Sequence, residues 1–528
     1  MDRKSSLKEI EETGKWDMIV IGGGATGLGV AVDAASRGFK TLLLEQADFA
    51  KGTSSRSTKL VHGGVRYLAQ GNIRLVREAL RERGYILKNV PQLARRQTFI
   101  IPVFNTWEKM KYLAGMKLYD WMAGKEQIGH AKWLSKAKVI ESMPGIKGDR
   151  LKGGVLYYDG QFDDARMAIS LALTCDDLGG TALNYMKVTG LLKGEKGKIN
   201  GVTATDRENG TEYPIHAGIV VNATGVFVDE IHRMDTGIEE KTVKPSQGVH
   251  LVLPPRFLKT DENALMIPKT DDGRVLFMVP WHGHLLAGTT DTPLEEHTLE
   301  PRASDKEIEF ILRTAEKYLK EAPSRKDVLS VFAGLRPLAL PTSDHATGKK
   351  NTKDISRNHV LQVSDTGLIT ITGGKWTTYR KMAEDTMDKA IVVGNLPDKR
   401  CITSTLKIHG WSDKGKSEEV LKMYGTDAEK ILTMISANPD LGKRIDDAWP
   451  FTDAEVVWAV RNEMARNVED ILARRFRVLF LDAKAAIRMA PAVAKIMKEE
   501  LKKDEEWTEK QVSEFTKLAS EYLVTAVN

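Results

Sequence analysis

The stretch WDMIVIGGGATGLGVAVDAASRGFKTLLLEQ, residues 16–46, decides the fold. Asp17 to Ile21 reads as a short buried strand. Ala25 to Ser36 reads as a helix stopped by Gly38, and Lys40 to Leu44 as a second strand ending at Glu45. This is a strand–helix–strand unit of the length that a dinucleotide-binding sheet uses. Gly22, Gly24 and Gly27 stand in GxGxxG spacing between the strand and the helix. One glycine permits the tight turn, one admits a pyrophosphate to the backbone, and one lets helix and strand pack closely. The helix N-terminus offers free N–H groups and a partial positive charge to phosphate. Glu45 can accept hydrogen bonds from a ribose diol and would repel a 2′-phosphate, which disfavours NADP. The motif alone does not separate NAD from FAD.

The rest of the chain sets bounds around that unit. Its 528 residues suggest two to four domains, and 41% hydrophobic with 28% charged residues is the balance of a globular protein with a sizeable core. With 78 basic against 72 acidic residues the net charge is +6, mild for this length. It does not call for nucleic acid, and it suits an anionic ligand or membrane surface. Two cysteines, Cys175 and Cys401, exclude a disulfide scaffold and fit a reducing cytosol. The N-terminus has no apolar secretory segment, and no apolar run is long enough to span a bilayer, so any membrane contact is expected to be peripheral.

Further along, residues 72–90 and 304–321 read as amphipathic helices. Residues 107–123 read as an aromatic-rich, basic helix. GGVLYYDGQF is a strand followed by a helix from near Asp163. Residues 217–225 are a buried strand ending in small residues, and about 243–300 is mainly strand, with a hairpin turn at His282 and Gly283. A metal reading of His282 and His284 lacks a supporting carboxylate or cysteine cluster, so no metal is expected. From about residue 400 the chain is helical and strongly charged.

Three more motifs carry chemistry. In KGTSSRSTKLVHGGVRYL (51–68), Thr53, Ser54, Ser55, Ser57 and Thr58 supply hydroxyls and N–H groups suited to phosphate or ribitol oxygens. Gly63 and Gly64 leave room for a flat ring against the backbone; alone, the stretch also reads as a polar loop before a strand with His62 in the core. In VVNATG (220–225), Ala223, Thr224 and Gly225 are small enough for an adenine dinucleotide to lie across. In ITGGKWTTYR (371–380), Gly373 and Gly374 precede a helix with Thr377 or Thr378 as N-cap. That helix N-terminus, with Lys375, could stabilise negative charge at N1 and O2 of a reduced flavin. The four motifs in this order form the layout of an FAD protein.

From about residue 15 to 395 the chain resembles the FAD-dependent glycerol-3-phosphate dehydrogenases of the aerobic respiratory type, within the D-amino-acid-oxidase-like flavoproteins. IGGGATGLGVAVDAASRG, TSSRSTKLVHGGVRYL, FDDARM, VNATG, GTTDT, AGLRPL and GGKWTTYRKMAED carry the resemblance, and DILARRFRVLFLD (470–482) resembles the family's helical cap. The fold implied is α/β: a Rossmann-like FAD-binding domain over 15–240 and 340–395, interrupted by substrate-domain insertions. A mixed-sheet substrate domain would lie mainly over 243–340, and a C-terminal helical domain over 400–528.

The resemblance implies oxidation of sn-glycerol 3-phosphate to dihydroxyacetone phosphate by hydride transfer from C2 to flavin N5, with electrons passed to a membrane quinone. The substrate is a dianion, and Arg66, Arg336, Arg357 and Lys375 match the family's cations, with Tyr67 adding a hydroxyl. His62 and His250 match its histidines. His62 is the preferred base because its glycine neighbours set it beside the flavin, and His250 is the alternative. Residues 107–123 are the candidate interfacial helix. The implied location is cytoplasmic, peripheral on the inner face of the cytoplasmic membrane, with a homodimer as a further expectation. The rivals are a glycerol-3-phosphate oxidase, which usually carries an insertion this chain is too short to hold, and a noncatalytic FAD-binding module.

Overall fold

The computed structural model describes residues 1–69, 71–340, 359–412 and 421–524, without the side chains of Arg66 and Ala69. The opening unit folds as Trp16–Ile21, helix Ala25–Ser36 and strand Thr41–Leu44. Its strands pair in parallel, Met18 opposite Thr41 and Ile21 opposite Leu44. The first sheet runs in the order His359–Val363, Ile369–Gly373, Glu212–Asn222, Trp16–Ile21, Thr41–Leu44, Thr181–Leu183. All neighbours are parallel except the first pair. Side chains alternate across the central strand, as the two-residue period of a strand requires. Met18 and Val20 pack with helices Ala25–Ser36, Asp164–Asp177 and Tyr379–Gly394. Ile19 and Ile21 pack on the other face, with the antiparallel strands Met186–Lys193 and Ile199–Asp206.

The second sheet is mixed. Its order is Thr292–Pro293, Val243–Leu253, His284–Gly288, Leu276–Trp281, Asn263–Ile267, Ala94–Val103, Gly153–Phe162, Leu60–Val61. Ser330–Ala339 also pairs with Val243–Leu253, and Lys132–Ser135 with Gly153–Phe162. Strands from 60–162 therefore join those from 243–339 in one sheet. Helix Asp305–Tyr318, opened by the Ser304–Glu307 capping box, covers one face through Ile308, Ile311, Leu312 and Ala315. Helices Ile73–Asn89 and Thr106–Ala123 cover part of the other, with Leu80, Met116 and Tyr119 against Phe99 and Tyr157.

The C-terminal helices share a core with the second sheet. Phe332 of that sheet meets Phe480 edge-on at 5.0 Å, and the Ser330 hydroxyl donates to the Leu479 carbonyl at 2.8 Å. The segment RRFR thus lies inside the molecule: Arg474, Arg475 and Arg477 are all buried. Among the described residues no helix is long and apolar enough to cross a membrane.

Candidate active site

The site starts at the glycine turn. Gly22 sits at φ +108°, and a Cβ there would come within 2.8 Å of the Ala223 carbonyl oxygen. A Cβ on Gly27 would overlap the Gly22 carbonyl oxygen. The turn is therefore closed against the Ala223 strand end by the absence of side chains. Glu45 accepts from the N–H groups of Gly23 (2.6 Å) and Ala47 (2.8 Å). Burial pushes its carboxyl above the usual range, and these two donors pull the other way. Ser54 Oγ accepts the Ala25 N–H at 2.9 Å, so this hydroxyl caps the helix whose N-terminus was expected to face phosphate.

From this turn a trough of about 190 Å³ runs past Gly24, Glu45, Thr53, Ser54, Ala223, Thr224 and Gly225 to Gly373, Gly374 and Lys375. Met186, Val188, Phe227 and Ile231 give it apolar walls. Gly373 and Gly374 have φ of +78° and +72°, and a Cβ on Gly374 would run into Met382. Two cross-links tie this glycine turn to the hydroxyl-rich loop. Trp376 Nε1 donates to the Ser54 carbonyl at 2.8 Å, and the His62 N–H donates to Thr377 Oγ1 at 3.1 Å. Thr377 thus binds the His62 backbone. Thr378 stands at the N-cap of Tyr379–Gly394 without a side-chain cap bond.

The trough opens into a cavity of about 290 Å³, and Thr53, Arg56, Pro337, Gly374 and Lys375 line both. Leu60, Phe99, Tyr157, Met266, Val275 and Phe277 make it largely apolar, and Thr58, His62, Gly64, Tyr67, His250, Arg274 and Arg336 add polar groups. Arg336 is aimed by four acceptors: the Gln247 carbonyl (3.3 Å), Asp291 Oδ1 (3.5 Å), Thr289 Oγ1 (3.1 Å) and the Thr290 carbonyl (3.1 Å). The Lys375 ammonium stands 3.7 Å from the centre of the Tyr67 ring, a cation–π contact. His250 is buried, stacks on Phe332 at 5.0 Å and shares a 2.9 Å hydrogen bond through Nε2 with Thr58 Oγ1. Its Nδ1 has no hydrogen-bond partner among the described residues. Burial first, then Lys59 and Arg336, hold its pKa well below the ordinary imidazole value.

Most residues singled out from sequence line one hollow or both, but three do not. Ser55 is buried beneath the loop, its carbonyl held by Lys59 Nζ (2.7 Å) and Arg477 Nη2 (2.8 Å). Gly63 packs under Leu80 and Tyr119, where a Cβ would come within 2.7 Å of both, and its N–H donates to the Tyr119 hydroxyl at 2.7 Å. A helix, not a flat ring, therefore explains that glycine, whereas Gly64 does line the cavity. Gly27 lies against the Gly22 carbonyl and leaves no room there for a side chain. Arg357 lies outside the described residues, and of Arg66 only the backbone, in the short helix Val65–Ala69, is described. Arg274, which follows Gly273 in a polar turn beside Asp272, escaped sequence reasoning because nothing around it forms a motif. Among the described residues no His, Cys, Asp or Glu cluster could hold a metal, and His282 and His284 diverge, His282 toward Asp163 and His284 onto Trp449.

The geometry suits a long ligand whose pyrophosphate meets the glycine turn and whose flat end reaches a cavity lined by cations and a buried imidazole. Comparison with known proteins agrees. Residues 17–380 match the FAD dependent oxidoreductase family, and 364–508 match the C-terminal domain of alpha-glycerophosphate oxidase. The mitochondrial glycerol-3-phosphate dehydrogenase of Rattus norvegicus is 40% identical over 99% of this chain and 75% of its own length. Its counterpart from Schizosaccharomyces pombe is 39% identical over 97% of this chain and 88% of its own length. The crystal structure of Bacillus halodurans glycerol-3-phosphate dehydrogenase complexed with FAD superposes with a TM-score of 0.80 at 29% identity, covering 100% of this chain and 99% of that one. By its sequence and its fold, the chain belongs to the FAD-dependent glycerol-3-phosphate dehydrogenases.

Proposed function

We propose that this protein oxidises sn-glycerol 3-phosphate to dihydroxyacetone phosphate and delivers the electrons to a membrane quinone. The observation that carries the reading is the junction of trough and cavity, where Arg336 and Lys375 stand beside the end of a dinucleotide site. Gly22, Gly24 and Glu45 would hold the adenosine and pyrophosphate end of FAD, and Gly373 to Lys375 its ring end. Bound there, FAD supplies a two-electron acceptor for the hydride leaving substrate C2. Arg336 and Lys375 bind the phosphate dianion, Arg336 with a fork already oriented by Asp291 and Thr289. The hydroxyl proton goes to a cavity histidine as the C2–O bond becomes a carbonyl. His250 is the better supported acceptor, because it lines the cavity and its surroundings keep it neutral. His62, favoured by sequence, then orients substrate at the cavity wall. The apolar lining keeps bulk water from the reacting carbon.

Exchange of electrons with a quinone needs a bilayer surface, and helix Thr106–Ala123 supports that contact. Its inner face buries Met116, Tyr119 and Met122. Its outer face leaves Trp107 (73%), Met110 (62%), Leu118 (44%) and Trp121 (68%) exposed. These four recur at helical spacing along one stripe. Lys109, Lys111 and Lys117 lie on the same helix, and Arg77 sits 5.5 Å from the Trp121 ring. An apolar stripe with cations beside it is the pattern of a helix lying in an anionic interface.

Arg336→Ala tests the phosphate assignment. Loss of a charge-assisted pair to phosphate should raise KM for glycerol 3-phosphate about tenfold or more, with FAD retained at wild-type stoichiometry. Loss of FAD from the variant would make Arg336 a structural residue and remove the support for this substrate.

A further inference from the structure

The C-terminal unit reaches the underside of the hydroxyl-rich loop through one side chain. Arg477, 1% exposed, donates from Nη2 to the Ser55 carbonyl (2.8 Å) and to Asp164 Oδ1 (2.9 Å), and from Nη1 to the Ala473 carbonyl of its own unit (2.8 Å). Its guanidinium packs against the Phe480 ring at 4.5 Å and the Trp281 ring at 5.4 Å. Its backbone is left-handed, at φ +67°, a conformation that a residue with a Cβ keeps only when its surroundings hold it. Asp164 Oδ2 in turn accepts from the Ser57 N–H (3.0 Å), the Ser57 hydroxyl (2.7 Å) and Lys59 Nζ (2.7 Å). One buried node therefore holds the peptide from Ser55 to Lys59 from below.

The upper side of the same peptide meets the site. Thr53, Arg56, Ser57 and Thr58 line the cavity, Ser54 caps the glycine-turn helix, and Thr58 holds His250. Arg477 reaches this peptide through the Ser55 carbonyl and through Asp164, and it lines neither hollow. Its neighbours Arg474 and Arg475 make the matching tie at the other end of the trough, where both bind Asp48, three residues beyond Glu45.

Resting on the reading that FAD occupies the trough, we infer that Arg477 is a positioning residue for the cofactor: the C-terminal helical unit sets the flavin-bearing loop through the Ser55 carbonyl and Asp164. The test uses the full-length protein, stripped of flavin and titrated with FAD by fluorescence, followed by the visible spectrum and midpoint potential of the bound flavin. Arg477→Ala should weaken FAD binding about tenfold or more and shift both the spectrum and the potential.

His409→Asn is the control. It loosens the same interface at the Asp177 and Asp427 contacts, none of which lines the trough or the cavity, and it should lower the melting temperature while leaving FAD affinity and potential unchanged. Equal weakening in both variants, or wild-type affinity and potential in Arg477→Ala, overturns the inference. If Arg477→Ala does not fold, Arg477→Lys is read in its place: it keeps the charge without the fork, so intermediate affinity supports the inference and wild-type affinity overturns it. Wild-type protein that takes up no FAD would instead sink the reading beneath it.

Discussion

At the scale of single residues, His250 shows how surroundings assign a role. At 2% exposure, near Lys59 and Arg336, it is poised to stay neutral where an exposed histidine would already carry a proton. Its hydrogen bond to Thr58 fixes the ring, and Nδ1 has no partner among the described residues. His250→Asn should therefore slow flavin reduction by roughly 10²–10⁴, measured by rapid mixing with substrate, with FAD still bound. His62→Asn should cost less. The sign with pH follows: protonation removes the base, so the rate falls as pH falls, and the fall should begin below the ordinary histidine value of about 6.5. A half-point at or above that value, or a larger loss in His62→Asn, would return the base to His62. Arg336, Lys375 and both histidines were legible because each sits in a short motif with its glycines. Lys59 was not, since its burial depends on Trp281 and Phe332 of the second sheet and Phe480 of the C-terminal helices, which only the fold brings within 5.5 Å of it. Burial pushes its ammonium down to about 7, against the pull of Asp164.

At the scale of elements, local pattern and long-range pairing separate. The helix Ala25–Ser36 lies where its sequence reading puts it, at about those bounds, because a glycine turn before it and Gly38 after it mark both ends. The membership of Ala94–Val103 and Gly153–Phe162 in the second sheet was not legible in the same way. Gly153–Phe162 reads as a strand from its sequence and Ala94–Val103 does not stand out, and a strand's partner is chosen by packing across the whole chain. Helix Thr106–Ala123 lies between these cases. Its sequence reads as an aromatic-rich, basic helix, and only the fold shows that Tyr119 turns inward to Gly63 and Asp159 while Trp107 and Trp121 stay outside. Trp107→Glu with Trp121→Glu should lower co-sedimentation with anionic lipid vesicles about tenfold or more. Turnover with a water-soluble acceptor should be unchanged. Wild-type sedimentation of the double variant would remove this face from the membrane reading.

At the scale of the molecule, ion pairs join the C-terminal unit to the helix Asp164–Asp177 that packs on the dinucleotide sheet. Arg166 and Glu463 form a fork-to-fork pair at 2.8 Å, and His409 bridges Asp177 (2.6 Å) and Asp427 (2.7 Å). Burial alone would lower the His409 pKa, but the two carboxylates outweigh it and hold it up at about 9. A folded value above the unfolded one of about 6.5 means that the stability is complete below that pH and is lost as pH rises through 9. With Asp177 half exposed, the loss should be about 1–2 kcal/mol, read as a falling melting temperature between those pH values. His409→Asn should flatten the curve, and an unchanged slope would place the titration elsewhere. The charged, helical composition of the tail marked it as a unit, but not that its arginines point inward, since an arginine's partners cannot be read from its own neighbourhood.

The central claim is tested most directly by anaerobic addition of glycerol 3-phosphate to the purified yellow protein. The account predicts loss of the oxidised flavin's visible absorbance, as expected for two-electron reduction of a flavin, and recovery of colour faster with a soluble quinone than with air. Flavin that stays oxidised in the presence of glycerol 3-phosphate would contradict it.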